Sequence, residues 1–256
     1  KKYDVHLFEK NDYLGGHTRT KRIEFNNIFY NIDTGFIVFN EYSYDDLIEF
    51  FKYLEIKTED SNMSFSISIK NPDIEYGSNG FKSIFADKKK LVSLNFLKLI
   101  FEIIKLYKHC KRISDNNEFK SITIDNFLNK HNYSKEIKNY HIYPMISSIW
   151  SCDKRRVKDF PLISFINFFE NHKLFNFFKR PQWKFVKNGS KSYIDKIIKK
   201  NLFNYSMNKE VDKIYRNKSE IKILFKDNSK FYADKVIIAT NANQALKIIN
   251  KPTKNE

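Results

Sequence analysis

The sequence predicts an α/β fold, α+β over the whole chain: a layered sheet domain built from two separated stretches, with a largely helical insertion between them. Three observations carry this. Period-2 alternation dominates the opening, in Tyr3, Val5 and Leu7, then in Thr18 to Phe25 and Ile28 to Ile32. From Leu91 to about Phe178 that alternation gives way to helical spacing. After Trp183 strand patterns return, and they end in the continuous apolar run Val236-Ile237-Ile238-Ala239-Thr240, as a strand buried in a parallel sheet would read.

The first strand ends on an acid, Glu9, followed by Lys10 and then by Leu14-Gly15-Gly16-His17-Thr18. In a dinucleotide-binding βαβ unit, the acid closing the second strand accepts hydrogen bonds from ribose hydroxyls. Glycines lacking a Cβ let backbone N–H groups approach a pyrophosphate. Glycine is scarce here, 6 in 256 residues, and Gly15, Gly16 and Gly35 all fall in this opening. Acid, short spacer and Gly-Gly are what a Rossmann-like FAD site asks of its second strand and the loop after it. A hairpin turn between Leu7 and Ile23, with Glu9 a solvated surface acid, accounts for the same residues, and the residues alone leave both readings open.

Val5 to Thr20 resembles the second strand and Gly-Gly motif of the flavin amine oxidase superfamily, which includes protoporphyrinogen oxidases and carotenoid desaturases. Asp33-Thr34-Gly35-Phe36-Ile37-Val38-Phe39-Asn40 resembles the Asp-x-Gly segment that follows in it. Later stretches are similar to a bacterial branch of predicted NAD/FAD-binding amine-oxidase-like proteins: Met63 to Ser66, Pro144 to Ser151, Phe168 to His172, and Arg180 to Trp183. The resemblance runs in order along nearly the whole chain. It implies FAD as cofactor, held by Glu9, Lys10, Leu14, Gly15, Gly16, His17, Thr18, Gly35, Phe36, Ile37, Val211 (through its backbone, at the adenine) and Ala239. His17 stands where many amine oxidases carry Arg, which leaves Arg19 as the nearby cation for phosphate. Asn188-Gly189-Ser190 resembles the return to the FAD domain, where Gly-Gly is commoner.

The same resemblance implies an FAD domain in two parts, residues 1–62 and 183–256, around a substrate-binding insertion at 63–182. The family's first strand with its Gly-x-Gly-x-x-Gly turn is then expected upstream of Lys1, and its last FAD segment beyond Glu256. No Gly-x-Gly-x-x-Gly occurs within the chain.

Individual elements follow from spacing. Ser43 starts a helix, with Asp46 in a capping-box-like position and Leu47, Ile48, Phe51 and Leu54 facing inward. Phe65, Ile67 and Ile69 alternate as a strand, Asn71-Pro72-Asp73 turns it, and Ile74 to Tyr76 pairs back. In the insertion, Phe96, Ile100, Ile103, Ile104 and Tyr107 form one stripe, and Ile124 to Asn132 is a short helix. Ile137 to Ile149 forms another, bent or interrupted at Pro144, and Ser164 to His172 follows Pro161. Trp183 to Val186 is a strand, and the helix after Ser190 carries Tyr193, Ile194, Ile197 and Ile198. Val211 to Tyr215, Ile221 to Phe225 and Lys230 to Ala233 form a β-meander turning at Asp227-Asn228.

Net charge is +16 and the pI about 9.5. Such a balance suits a nucleic-acid or anionic-membrane surface. Yet Lys far outnumbers Arg, the chain is rich in Asn, Ile, Phe and Tyr, and the clusters Lys88-Lys89-Lys90 and Lys154-Arg155-Arg156 are short. Compositional drift is the better account, so no nucleic-acid partner is expected; weak peripheral attraction to an anionic bilayer stays open. Two cysteines, Cys110 and Cys152, make neither a disulfide framework nor zinc spacing, which fits a reducing cytoplasm. No apolar run reaches the roughly 18 residues of a membrane span.

His109 beside Cys110 has no acid–base partner in the sequence, and His141 and His172 are candidate pocket liners. No metal site, Ser/His/Asp set or P-loop is visible, and no catalytic base can be named. Flavin oxidation asks the protein mainly for binding, orientation and exclusion of water. The expected function is therefore FAD-dependent hydride abstraction from a C–N or C–C bond of a small or lipidic substrate. The Phe and Ile of the insertion lean it toward an apolar one. The rivals are a non-catalytic flavin-fold binding protein and a basic membrane- or nucleic-acid-associated module.

Overall fold

The computed structural model describes residues 3–113, 119, 121–153, 155–176, 180–217 and 220–256. Lys1, Lys154 of the basic cluster and Phe178 at the end of the helical stretch lie outside the described residues. In chain order the first strands and helix are β1 (His6–Phe8), β2 (Thr20–Phe25), β3 (Ile28–Asp33), β4 (Phe39–Asn40), α1 (Asp45–Tyr53), β5 (Thr58–Ser61), β6 (Ser66–Ile69) and β7 (Ile74–Gly77). The helical stretch holds α2 (Gly80–Ile84), a 3-10 turn at Lys88–Val92, α3 (Leu94–Ile113), α4 (Ile124–Lys130), α5 (Lys135–Ile137), a π-helical turn at Lys138–Ile142, α6 (Tyr143–Trp150) and α7 (Leu162–Asn171). Then come β8 (Trp183–Val186), α8 (Lys191–Lys199), β9 (Asn204–Ser206), β10 (Val211–Arg216), β11 (Ile221–Phe225), β12 (Lys230–Ala233) and α9 (Ala242–Ile248). The chain divides into two compact units: Lys1–Ile37 with Phe50–Thr58 and Phe185–Glu256, and Val38–Glu49 with Glu59–Lys184.

In the first unit β1 pairs in parallel with β9, His6 opposite Asn204 and Phe8 opposite Ser206. β10, β11 and β12 form the antiparallel meander. β2 and β3 make a hairpin in which Phe25 pairs with Ile28. Its two-residue turn, Asn26-Asn27, has φ of 52° and 61°, the left-handed pair that such tight hairpins need and that Asn tolerates.

Two expectations fail here. Val236 to Thr240 runs without a strand partner among the described residues, and Ile237 is 93% exposed. An apolar run carries β-propensity, but a strand exists only where a neighbour completes its ladder. The alternation in β1 also points the other way. Tyr3, Val5 and Leu7 are exposed, while Phe8 packs 4.7 Å from Phe225 and 5.0 Å from Phe231, with His6 stacked on it at 4.4 Å. The aromatic rings of the meander recruit the face with the flatter, larger surfaces.

The second unit is built on α3, whose buried stripe is Phe96, Leu99, Ile103, Leu106, Tyr107 and Cys110. The stripe is shifted from the expected one, with Ile100 and Ile104 at its margins. α1 buries Phe51 and half-buries Leu47 and Ile48, as spacing predicts. The hydroxyl of Ser43 donates instead to the Asn171 carbonyl at 2.5 Å.

Pro144 lies in the first turn of α6, directly after the π-helical turn. It has no N–H to offer the Tyr140 carbonyl one turn back, and the Tyr76 hydroxyl donates to that carbonyl at 2.8 Å. With its proton so used, Tyr76 accepts from Nδ1 of His141 at 2.8 Å. Nε2 of His141 then accepts from the Tyr107 hydroxyl, also at 2.8 Å. His141 is thus a satisfied, buried, neutral histidine and not a pocket liner. Burial, and then the Arg180 guanidinium, push its pKa down to about 3.

Because the folded pKa lies below the ordinary 6.5, the unfolded chain takes up a proton first as pH falls. This contribution to stability is full above pH 6.5 and is lost as pH drops toward 3. Over the whole window it amounts to on the order of 5 kcal/mol. His141→Gln should be less stable at pH 7 and show a flatter fall between pH 7 and 5 in urea titrations. Parallel pH curves for the two proteins would remove His141 as the source.

Candidate functional site

A cleft of about 880 Å³ opens in the first unit, within the usual range for small-molecule sites. The end of β1 contributes Phe8, Glu9 and Lys10, and the following loop Tyr13, Gly16, His17 and Arg19. Thr34 and Gly35 follow β3, Val211 opens β10, and Ala239, Thr240, Asn241 and Gln244 come from the approach to α9 and its first turn.

Backbone pairing fixes Glu9: its N–H donates to Ser206 and its carbonyl accepts from Lys209, both at 2.9 Å. Oε1 accepts from the Asn11 N–H at 2.9 Å, and Oε2 has no hydrogen-bond partner among the described residues. The Gly-Gly loop closes through Thr18 N–H to the Gly15 carbonyl at 2.8 Å. The His17 carbonyl accepts from Arg19 and Phe36 at 3.0 and 2.9 Å, which seats the Gly35 segment on the loop. That contact admits only glycine, since a Cβ on Gly35 would lie 2.2 Å from the His17 oxygen. The N–H groups of Gly16 and His17 carry no hydrogen bond among the described residues, and both residues line the cleft.

The lining holds six bases (Lys10, Arg19, Lys209, Lys213, Lys226, Lys247) against three acids (Glu9, Glu210, Asp212), a balance that favours an anion. Lys209 is held by Asp227 and Lys226 by Asp212, and each pairing pulls its titration: Asp227 down, Lys226 up. Lys213 donates to the Lys247 carbonyl at 2.8 Å, and Arg19 lies 5.0 Å over the Tyr13 ring. Lys10 has no ion-pair partner among the described residues.

Asp33 holds these pieces together from outside the cleft. It accepts from the Thr20 hydroxyl at 2.5 Å, from the Ser190 hydroxyl at 2.9 Å, and from the Ser190 N–H on both oxygens at 2.9 and 3.0 Å. Ser190 opens α8, so the carboxylate sits at the positive end of a helix. Gly189 lets the two segments close: φ is +94°, and a Cβ there would lie 2.4 Å from Thr20 Cγ2.

Of the twelve residues expected to hold the cofactor, Glu9, Lys10, Gly16, His17, Gly35, Val211 and Ala239 line this cleft. The other five do not. The Thr18 hydroxyl is buried against the Tyr193 hydroxyl, and Phe36 meets the Tyr193 ring edge-on at 6.4 Å. Gly15 approaches Ile194, Leu14 is half-buried, and Ile37 is exposed. The Thr240-Asn241-Gln244 wall escaped sequence reading. Its signal was an Asn directly after an apolar run, where a helix start is to be sought.

The second unit has a smaller cleft, about 380 Å³, whose lining includes Asp73, Lys90, Phe96, Glu102, Glu136 and Tyr140. Of the insertion's Phe and Ile side chains, Phe96 and Ile74 line it. Met145, Ile146, Phe165, Ile166 and Phe169 are buried core, with Ile149, Trp150 and Phe168 packed on it. His172 is buried and takes a 3.2 Å hydrogen bond from Asn40. Cys110 is wholly buried, which pushes its thiol up, and His109 bonds the Tyr133 hydroxyl at 3.1 Å. Among the described residues no group of three or more His, Cys, Asp or Glu is placed to hold a metal ion, and no helix is long and apolar enough to cross a membrane.

A strand ending in a carboxylate with one oxygen to spare, a Gly-Gly turn with unused N–H groups, and a surplus of cations around both are features that suit an anionic, dinucleotide-type ligand. The chain belongs to the flavin containing amine oxidoreductase family, whose model matches residues 1–255. That membership implies FAD as the cofactor. Its fold is similar to that of cyclohexylamine oxidase from Brevibacterium oxydans IH-35A (TM-score 0.71, 16% identity, 94% of this chain and 53% of that one). Wild-type putrescine oxidase bound to putrescine gives a TM-score of 0.67 at 18% identity, over 96% of this chain and 54% of that one. A fatty acid isomerase from P. acnes gives 0.54 at 11% identity, over 96% and 55%. The chain thus spans about half the length of these structures. No curated protein matches it.

The carboxylate clamp is testable by a double-mutant cycle. Asp33→Ala should destabilise the protein by about 3 kcal/mol, since it strips charge-assisted bonds from a helix start. Combined with Ser190→Ala, the two losses should fall short of additivity by about 1 kcal/mol or more in urea denaturation. Strict additivity would mean the two residues act independently.

Proposed function

We propose that the protein is an FAD-dependent amine oxidoreductase that removes a hydride from the C–N bond of a small-molecule amine. In this reading the first compact unit is the flavin-binding domain, close to the division 1–62 and 183–256, and residues near 63–182 bind substrate. The observation that carries it is the cleft in which Glu9, the Gly16-His17 turn and Gly35 converge.

Bound FAD supplies the hydride-accepting ring system. Everything else falls to the chain. The spare oxygen of Glu9 takes the ribose hydroxyls, as acids at this strand position do. The N–H groups of Gly16 and His17 serve the diphosphate, with Lys10 and Arg19 as its counter-charges. Gly35 keeps the second wall thin, while the Val211 backbone and Ala239 border the adenine end. Gly15, Thr18 and Phe36 act by holding this loop against α8.

An amine is favoured over an acyl or isoprenoid substrate for two reasons. Phe165, Phe168, Phe169 and Trp150 of the insertion are taken up by core packing. The amine oxidases match the fold at higher TM-scores than the fatty acid isomerase does. The compartment that goes with this reading is the cytoplasm.

The whole protein should purify with a visible flavin spectrum that bleaches when an amine is added without oxygen. Bound flavin that no amine bleaches would favour the non-catalytic flavin-binding alternative. Glu9→Ala should weaken FAD binding by about 10- to 100-fold, the value of a charge-assisted hydrogen bond. An unaltered FAD dissociation constant would take Glu9 out of the site.

A further inference from the structure

The second compact unit carries a surface outside its core that shares only Lys98 with the lining of its cleft. Helix α3 buries Phe96, Leu99, Ile103, Leu106, Tyr107 and Cys110 on one side. At 100° per residue the opposite side is Leu94, Leu97 and Phe101, interleaved with Lys98, Lys105, Lys108 and Arg112. Leu94 is 82% and Phe101 66% exposed. Just before it, the 3-10 turn presents Val92, 83% exposed, with Lys88 and Lys89 also exposed.

The acids nearby are already engaged. Asp87 accepts from the Lys89 N–H and sits 3.8 Å from Lys90, Asp73 also holds Lys90, and Glu102 holds Ser134. Lys105 lies 5.6 Å over the Tyr133 ring, which leaves its charge in place. The result is a protruding apolar row with a basic surround and no acid on the outward face of the helix.

We propose that this face, from Lys88 to Arg112, docks the protein on an anionic lipid surface, Val92, Leu94 and Phe101 entering the headgroup layer and the lysines meeting the lipid charges. Scattered exposed apolar residues need no explanation. Exposed apolar side chains on one face with lysines on its flanks have the composition of an interfacial helix. Charge complementarity selects the partner. A second copy would set this face's six bases, Lys88, Lys89, Lys98, Lys105, Lys108 and Arg112, against the same six, which is repulsive, whereas phosphatidylserine headgroups neutralise them. The inference does not rest on the flavin reading and stands or falls separately from it.

The test is cosedimentation of the whole protein with vesicles of phosphatidylcholine alone and of phosphatidylcholine with phosphatidylserine. Wild type should bind only the second kind, and salt should release it. Lys88→Gln/Lys89→Gln/Lys98→Gln should lower the partition coefficient about 100-fold, roughly fivefold per lysine. Leu94→Asp/Phe101→Asp should abolish binding without lowering the melting temperature, since neither side chain is in the core. Equal sedimentation with both vesicle types, or wild-type binding by the lysine variant, overturns the proposal. So does wild type that self-associates, ignores vesicles and is dispersed by Phe101→Asp, because the face would then pair with its own copy.

Discussion

The Asp33 carboxylate is the constraint on which the cleft of the first unit depends. Its bonds reach 13 residues back to Thr20 and 157 residues on to Ser190. Together they fix the β2–β3 hairpin against the start of α8. The loop that starts at Gly15 and the segment that ends at Gly35 are both anchored within a few residues of that carboxylate. Neither wall could hold its place if the hairpin were free to rotate. The interaction is strong because an anion meets unsatisfied N–H groups at a helix start as well as two hydroxyls. It also gives the scarce glycines different tasks. Gly35 and Gly189 are needed because backbone or side-chain atoms already occupy the space a Cβ would take.

Much of this was legible in the amino-acid order. β11 and β12 begin and end where alternation and the Asp227-Asn228 turn put them. The Asn26-Asn27 hairpin and the inward face of α1 follow from the same local rules, because turn chemistry and side-chain period are properties of short windows. What was not legible depends on partners remote in sequence. The inward face of β1 is chosen by Phe225 and Phe231, more than two hundred residues away. Val236 to Thr240 has a strand's composition and, among the described residues, no neighbour to make it one. Glu9 and Gly16 could be read as site residues because strand-end acid and Gly-Gly are local. Lys209 and Asn241 could not: Lys209 is one lysine among many, and Asn241 is an uncharged helix start with no ligand motif of its own.

The helical unit solves a different problem, that of burying polar groups. Pro144 deprives Tyr140 of a backbone donor inside a helix, and the chain responds with a π-helical turn and the Tyr76 hydroxyl. His141 then bridges two tyrosines whose own hydroxyls burial holds neutral far above their ordinary range. Each group satisfies the next, so a residue that looked like chemistry in the sequence is a structural joint. A fully bonded buried network of this kind specifies one packing arrangement, since any slip leaves a polar atom unpaired.

The parallel pairing of His6 with Asn204 has a consequence for synthesis. Residues 59–184 form a nearly unbroken run that can collapse as soon as it leaves the ribosome. Strand β1 and the hairpin cannot, because their partners lie near residues 190 and 204. At ordinary elongation rates of about 5–20 residues per second, they wait roughly ten to forty seconds. Throughout that time the hairpin carries Phe25, Ile28 and Phe29 in the open, where more than half of each side chain is exposed even in the finished fold. Slower translation after the helical unit would lengthen the interval in which β1 lacks its parallel partner.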